Sequence, residues 1–263
     1  GGFLVNTSAG DFRANRIVAA TGAFQHPVVP PIIPETAGVE QIHSFHYKNP
    51  ERLSDGAVMV VGAGSSGAQI ADELNRAGRK VFLSVGPHDR PPRRYRGRDF
   101  VWWLGVLGLW DVPAMKPGTE HVTISVSGAN GGRTMDFRRL GNEGVVLTGL
   151  TAGYADGILS FNSDLQANVA AGDANYNELL DMADAYVVRT GIDLPEEPEA
   201  REVPANPDCM SNPLTEIDLA KAGVTSIIWA TGFRQDFEWL KVDAFNERGA
   251  PIHQRGVSVE PDV

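Results

Sequence analysis

The chain has 263 residues, of which 42% are hydrophobic and 21% are charged. This composition is typical of a globular protein with one or two domains. A formal net charge of −10 repels polyanions, which argues against nucleic acids and anionic membranes as partners of the whole chain. The single cysteine, Cys209, excludes an internal disulfide, a CxxC redox pair and a zinc–cysteine cluster, and it is typical of a reducing cytoplasm.

The ends of the chain and its longest apolar run bear on localisation. The run from Phe100 to Trp110 is too short to span a bilayer, and no signal core stands at the N-terminus. We therefore expect a soluble, cytoplasmic protein without membrane contact. The chain does not begin with Met and opens directly in an alternating apolar segment, which is typical of a fragment.

The first part of the chain is predicted to be extended. Residues 2–7 and 12–19 are β-like and are separated by small, turn-forming residues, which predicts a hairpin. Four prolines follow within residues 27–34 and predict a linker, because proline does not fit inside a helix or a central strand.

A βαβ unit follows the linker. Residues 57–61 (AVMVV) are wholly apolar, as in a parallel strand buried on both faces. Residues 66–77 place apolar side chains on one helical face, and residues 80–84 predict the second strand.

Beyond residue 100 the pattern predicts shorter elements. Strands are expected over 122–126, 133–137, 145–147 and 157–161, helices over 163–171 and 175–190, a loop over 194–207 and a buried strand over 224–230. The signature Ala-Thr-Gly follows an apolar strand twice, at residues 20–22 and 230–232.

The loop Gly62-Ala63-Gly64-Ser65-Ser66-Gly67 lies between the first strand and the helix of the βαβ unit. In a dinucleotide-binding loop the first glycine permits a sharp turn, the second leaves room for pyrophosphate, and the third lets helix and strand approach. The helix N-terminus supplies free N–H groups and a positive dipole. We predict a pyrophosphate site here; a structural turn without a ligand is the alternative.

The identity of the nucleotide depends on the end of the second strand, where NAD-binding proteins carry an acidic residue for the ribose 2′-hydroxyl. Ser84 stands there, and five arginines follow within nine residues: Arg90, Arg93, Arg94, Arg96 and Arg98. A guanidinium binds phosphate oxygens in bidentate fashion, so the segment favours NADPH over NADH. Alternatively, some of these arginines pair with Asp89, Asp99 or an adjacent domain.

Other chemistry-bearing residues give weaker signals. The aromatic run Phe100, Trp102, Trp103 and Trp110 is predicted to lie in the core. Alternatively, it lines a substrate entrance or contacts a second subunit in a homodimer. His43 and His46 lack accompanying residues at metal-ligand spacing, so we predict no metal site. We name no catalytic residue.

The segment from Gly38 to Tyr47, followed by the glycine loop and later by ATGF, resembles the class B flavin monooxygenases, including the flavin-containing monooxygenases. Gly38, His43 and Tyr47 match the family fingerprint FxGxxxHxxx(Y/F), whereas Thr36 replaces its phenylalanine and one extra residue precedes His43. The resemblance covers residues 1–105 and 215–263.

The resemblance implies an α/β, Rossmann-like flavoprotein with two dinucleotide-binding domains, in which the NADPH domain is inserted into an FAD domain that is incomplete in this chain. Residues 1–54 and 224–263 would be FAD-domain pieces, and residues 55–223 the inserted NADPH domain. The FAD-side residues would be Ala20, Thr21, Gly22, Thr231 and Gly232. Those on the NADPH side would be Gly62, Gly64, Ser65, Ser66, Gly67, Arg90, Arg93 and Arg94.

The resemblance further implies a monooxygenase that uses NADPH and O2 to oxygenate a small organic substrate through a C4a-(hydro)peroxyflavin. The cofactors perform this chemistry, and protein groups orient the nicotinamide and exclude water. Two rivals stay open: a ferredoxin-reductase-like NADPH-dependent flavin reductase, and a non-catalytic nicotinamide-binding module. A disulfide reductase is disfavoured because Cys209 has no partner cysteine.

Overall fold

The computed structural model describes residues 2–112, 123–260 and 262, which form a mixed α/β structure. The strands are β1 (Phe3–Thr7), β2 (Gly10–Ala14), β3 (His26–Pro27), β4 (Glu40–His43), β5 (Ala57–Val61), β6 (Val81–Ser84), β7 (His88–Asp89), β8 (Arg94–Tyr95), β9 (Arg98–Asp99), β10 (Thr123–Ile124), β11 (Val146–Thr148), β12 (Thr151–Ala155), β13 (Ile158–Phe161), β14 (Glu216–Asp218), β15 (Val224–Trp229), β16 (Phe233–Arg234), β17 (His253–Gln254) and β18 (Val257–Ser258). The helices are α1 (Ser65–Arg76), α2 (Phe100–Val106), α3 (Phe137–Asn142), α4 (Leu165–Thr190) and α5 (Asp208–Ser211).

The chain divides into two compact units. The small unit comprises Gly1–Val28 and Gly232–Val263, and the large unit comprises Val29–Thr231. These bounds differ from the ranges 1–54, 55–223 and 224–263 that the sequence predicts. The assignment of those ranges to an FAD and an NADPH domain stays a prediction.

A five-stranded sheet in the order β11-β6-β5-β15-β4 is the centre of the large unit. All four neighbouring pairs are parallel. The chain moves outward in one direction from β5 through β6 to β11, whereas β15 lies on the other side of β5. Such a reversal creates a crevice at the carboxyl ends of the two central strands, which is where open α/β sheets bind ligands. The prediction of an α/β, Rossmann-like fold is confirmed.

Strand β5 shows why its sequence is apolar throughout. Its side chains alternate between the two faces of the sheet, and both faces are covered. Val58 and Val60 pack with α1 in one buried cluster. Met59 and Val61 pack on the opposite face with Trp229 in a second cluster. The predicted pattern of a strand buried on both faces is therefore confirmed, and it fixes the position at which the glycine loop begins.

The helix α4 differs from the prediction of two helices over 163–171 and 175–190, because it is continuous from Leu165 to Thr190. The residues that suggested a break make tertiary contacts. A Cβ on Gly172 would lie 2.5 Å from His88 Nε2, and Asp173 pairs with Arg90. Because Gly172 has no Cβ, His88 can pack closely against it, and the helix continues through this residue.

Two further predictions beyond residue 100 need correction. The strand over 133–137 is wrong, because Asp136 accepts a hydrogen bond from the Arg139 N–H at 3.0 Å and thereby caps α3, which begins at Phe137. The strand over 122–126 is reduced to Thr123–Ile124, which pairs with His88–Asp89 in parallel. Val122 lies outside the described residues.

The small unit consists of short strand pairs. The predicted N-terminal hairpin is confirmed as the antiparallel pair β1–β2, although the second strand ends at Ala14. The pairs β3–β16 and β17–β18 complete the unit. Within the described ranges of the chain, no helix has both the length and the apolar character needed to cross a bilayer.

Candidate functional site

The glycine loop connects β5 to α1 at the reversal point of the large sheet. Gly62 has φ = 108°, and a Cβ there would lie 2.5 Å from the Ala230 carbonyl oxygen. A Cβ on Gly67 would lie 1.9 Å from the Gly62 carbonyl oxygen. The loop therefore closes tightly on itself and on the end of β15, and both positions require glycine.

The N-terminus of α1 follows this turn. Gly64 is the N-cap residue and carries no side-chain cap, so the first N–H groups of the helix depend on other partners. Together with the helix dipole they form a site that favours anions. Ser66 is exposed at this end and lines a cavity of about 520 Å³ with Tyr47 and Gln69.

The cavity beside Ser66 also contains a fingerprint residue. Tyr47 donates a hydrogen bond to Glu73 Oε2 at 2.9 Å. Burial is the main cause that raises the pKa of the Tyr47 phenol, and the hydrogen bond to the Glu73 carboxylate raises it further. His43 is buried at the end of β4, opposite Trp229 of β15. Of the fingerprint residues, His43 therefore lies in the sheet, and Tyr47 contacts α1 through Glu73.

Residues 123–127, which we call the strap, lie across the N-terminal end of α1. Ser65 Oγ donates to the Ile124 carbonyl at 2.9 Å and accepts from the Val126 N–H at 3.0 Å. Gln69 Nε2 donates to the Val126 carbonyl at 2.8 Å. A Cβ on Gly64 would lie 2.4 Å from Thr123 Cγ2. Of this arrangement, the sequence predicted only a strand over 122–126.

Ser84, where an acidic residue would mark an NAD site, is buried and turned inward. Its Oγ donates to the Gly149 carbonyl at 2.9 Å. It also accepts from the Thr151 N–H at 3.0 Å. These bonds join β6 to the segment after β11, so the Ser84 side chain is part of the protein interior.

Arg90 is held inside the large unit. Its side chain is only 8% exposed and contacts Asp173 at 2.8 Å and Asp136 at 3.5 Å. Its guanidinium also stacks 4.4 Å from the centre of the Tyr176 ring, and Asp173 pairs in turn with Arg138. The charge of Arg90 is therefore balanced by two carboxylates.

The other arginines of the basic run have different environments. Arg93 pairs with Asp99, Arg96 pairs with Asp184 at 2.6 Å, and Arg98 lies 5.3 Å from the centre of the Trp102 ring. Arg94 is exposed and forms no ion pair with any residue that the structure describes. The alternative of pairing with Asp99 is realised by Arg93.

His88 is buried near Gly172 of α4, in the same unit as Arg90. Its Nδ1 donates to the Gly86 carbonyl at 2.9 Å, while its buried Nε2 lacks a hydrogen-bond partner within the described ranges. Burial lowers the pKa of His88 from its usual value near 6.5, since a charged imidazolium would lose its hydration. The ring packs edge-on against Phe137.

The aromatic run divides between interior and surface. Trp103 is buried in a cluster with Tyr95, Tyr176 and Leu180, as predicted for core. Trp110 is 61% exposed. Within residues 2–112, 123–260 and 262, no group of three or more His, Cys, Asp or Glu side chains is arranged to hold a metal ion.

The repeated Ala-Thr-Gly signatures lie in two places. Gln25 donates to Thr21 Oγ1 at 2.9 Å and to the Gly22 carbonyl at 3.1 Å in the small unit. The phenylalanines that follow the two signatures, Phe24 and Phe233, contact each other edge-on. The second signature begins in the large unit, where the Ala230 N–H donates to Val61 at 2.8 Å.

A parallel sheet with a glycine loop and a helix N-terminus at its reversal point defines a Rossmann-type dinucleotide-binding fold. Residues 1–96 match the family model described as pyridine nucleotide-disulphide oxidoreductase. The chain is 30% identical over 259 residues to an oxidoreductase described as CzcO-like from Geobacillus kaustophilus, and covers 58% of that protein with 97% of its own length.

Flavin-containing monooxygenases also match. The chain is 34% identical to iboF of Amanita muscaria over 120 residues, which are 41% of this chain and 22% of that protein. The structure of a flavin-containing monooxygenase from Stenotrophomonas maltophilia aligns with a TM-score of 0.50 at 15% identity, over 97% of this chain and 54% of that one, a likeness in fold. The predicted resemblance is confirmed: the chain is similar to CzcO-like oxidoreductases and to flavin-containing monooxygenases. It spans 58% of the length of the CzcO-like relative and 54% of that of the Stenotrophomonas maltophilia protein.

Proposed function

We propose that the chain carries the nicotinamide-binding region of a flavin-dependent monooxygenase, which uses NADPH, FAD and O2 to oxygenate a small organic substrate. The observation that carries the proposal is the glycine loop at the reversal point of the sheet, where Gly62 and Gly67 admit no Cβ. The matches to flavin-containing monooxygenases support the reaction class.

The loop has the glycines that a dinucleotide-binding loop requires. Its first and third glycines hold the turn and bring α1 against β5. The N–H groups of Ser65 and Ser66 at the start of α1 would bind phosphate oxygens, and the helix dipole would favour their negative charge. In this proposal the chain's own residues bind and orient the nucleotide and keep water from the reacting nicotinamide.

The proposed 2′-phosphate contact falls to one of the three predicted arginines. Arg90 is buried against two carboxylates, and Arg93 is paired with Asp99. Arg94 offers an exposed guanidinium on β8 without an ion pair in the described part of the chain. We therefore propose Arg94 for the 2′-phosphate, since an exposed guanidinium without a close ion pair in the described part of the chain binds phosphate without first breaking one.

The flavin side of the proposal involves Ala20, Thr21, Gly22, Thr231 and Gly232. Gly22 and Gly232 have φ angles of 76° and 81°, and apart from their chain neighbours no atom of the described residues lies within 4 Å of either Cβ position. Such open, sharply turned backbone leaves room for a neighbouring ring system. When bound, NADPH supplies a hydride to the flavin, and the reduced flavin supplies the reactivity toward O2.

The reaction class is tested with flavin-loaded protein that includes the complete FAD domain, first without oxygen and then with it. NADPH should bleach the flavin absorbance, and ¹⁸O2 should then place one labelled oxygen in a product that mass spectrometry detects in a panel of amines, thioethers and ketones. Rapid reduction of one-electron acceptors without labelled product would favour the ferredoxin-reductase-like alternative. Tight NADPH binding by a protein that retains no flavin would indicate a non-catalytic nicotinamide-binding module.

The nucleotide preference is tested separately with Arg94→Ala. We expect the Kd of NADPH to rise about tenfold or more, because a hydrogen bond to a charged group contributes about 1.5–3 kcal/mol, while the Kd of NADH stays within about twofold. Arg98→Ala, which removes a neighbouring exposed arginine that contacts Trp102, is the matched control. Equal losses for both nucleotides would remove Arg94 from the 2′-phosphate site.

A further inference from the structure

The strap occupies the position at which a Rossmann loop normally meets its ligand. In such loops the second glycine lacks a side chain so that the backbone can approach the pyrophosphate. Here the space in front of Gly64 is filled, because its Cβ position lies 2.4 Å from Thr123 Cγ2 and Gly64 is buried. Thr123 thus stands where the proposed pyrophosphate would bind.

The strap is also bonded to the residues that would serve the nucleotide. The Ser65 hydroxyl is engaged with both Ile124 and Val126. The Ile124 carbonyl lies near the positive end of α1. A carbonyl oxygen carries a smaller negative charge than a phosphate oxygen, so it interacts less strongly with the helix dipole. A dinucleotide would therefore be the stronger acceptor at the same place.

The other side of the strap rests on β7. Thr123 and Ile124 pair with His88 and Asp89, and the Ser125 N–H donates to the Asp89 carbonyl at 2.8 Å. The Ser125 hydroxyl is fully buried and lacks a hydrogen-bond partner among the described residues. A buried hydroxyl without a hydrogen-bond partner is unfavourable. The strap is therefore less stable in this position than it would be if the Ser125 hydroxyl were hydrogen-bonded.

We infer that the strap and the pyrophosphate compete for the N-terminus of α1, so that nucleotide binding requires residues 123–127 to leave Ser65 and Gly64. The inference rests on the proposed function. It makes the strap an autoinhibitory contact that lowers the apparent affinity for the dinucleotide, since binding must first break the bonds from Ser65 and Gln69.

The test loosens the strap without changing the glycine loop. Gln69→Ala removes the bond to Val126, and Thr123→Ser removes the methyl group in front of Gly64. We expect Gln69→Ala to lower the Kd of NADPH about five- to tenfold, as the loss of one hydrogen bond predicts. Thr123→Ser removes a methyl contact and no hydrogen bond, so it should lower the Kd by a smaller factor of about threefold. The matched control is Gln166→Ala, which removes a similar bond from a glutamine side chain to the Met210 carbonyl and should leave the Kd unchanged.

Amide hydrogen exchange on flavin-loaded protein gives a second readout. NADPH should accelerate exchange at Ser125 and Val126, although a bound ligand ordinarily slows exchange around it. Unchanged affinities in both strap variants, together with amides that stay protected when NADPH binds, would overturn the inference and leave the proposed function standing. No NADPH binding by wild type, Gln69→Ala and Thr123→Ser alike would defeat the nucleotide site itself.

Discussion

The large and small units differ in how much apolar surface they bury. The large unit encloses its sheet between two clusters that contain fully buried side chains such as Val58, Leu74 and Trp229. In the described part of the small unit, Leu240 and Ala244 are the buried apolar side chains, while Val18 is 88% exposed. Packing therefore dictates the geometry of the glycine loop, whereas the Ala-Thr-Gly turn at residues 20–22 has space around it.

The largest expected effect is that of Gly67→Ala in the large unit. Its Cβ would lie 1.9 Å from the Gly62 carbonyl, so we expect the free energy of unfolding in urea to fall by more than about 4 kcal/mol. The matched change Gly22→Ala in the small unit meets open space at φ = 76° and should cost only about 1–2 kcal/mol. A Gly67→Ala protein as stable as Gly22→Ala would show that packing does not fix the loop.

A smaller effect is expected when an ion pair is removed. Arg90→Met leaves the nearly buried Asp136 without this cation and leaves Asp173 with Arg138 as its remaining cation, and urea unfolding should show a loss of about 3 kcal/mol. In the small unit, Arg234 is 65% exposed and lies 3.8 Å from Asp236. Arg234→Met should change stability by less than about 1 kcal/mol. Equal losses would contradict the contrast between a buried and an exposed pair.

The smallest expected effect is a pH dependence from His88. Its pKa is lower in the folded protein than the usual 6.5, so the unfolded chain binds more protons below pH 6.5. Stability is therefore complete above that pH and falls as the pH decreases, by at most about 1.4 kcal/mol per pH unit. His88→Asn keeps a donor for Gly86 and should flatten this slope in urea titrations between pH 7 and pH 5. An unchanged slope would assign it to other groups.

The sequence was sufficient for elements whose signals are local. The apolar strand at 57–61, the glycine loop and the helix after it follow from neighbouring residues, and they locate the candidate site. Contacts between distant residues carry no such signal. The pairing of Arg90 with Asp173 joins a basic run to a position that looked like a helix break, and only the fold reveals that this arginine is already neutralised.

The strap shows the same limit at the site itself. Its residues predict a strand, and two of them do pair with β7. The bonds to Ser65 and Gln69 depend on how the long connection between β6 and β11 returns to α1, which side-chain periodicity does not encode. Sequence reasoning therefore located the loop but not its neighbour.

The strand order has a consequence for biosynthesis. Strands β4 and β5 are translated early, but β15, which separates them in the sheet, is translated long afterwards. A nascent chain that stops before residue 224 therefore has β4 without its neighbour and β5 with one open edge, and such edges recruit strands from other chains. Strand β15 must therefore leave the ribosome before β4 and β5 can both pair with it.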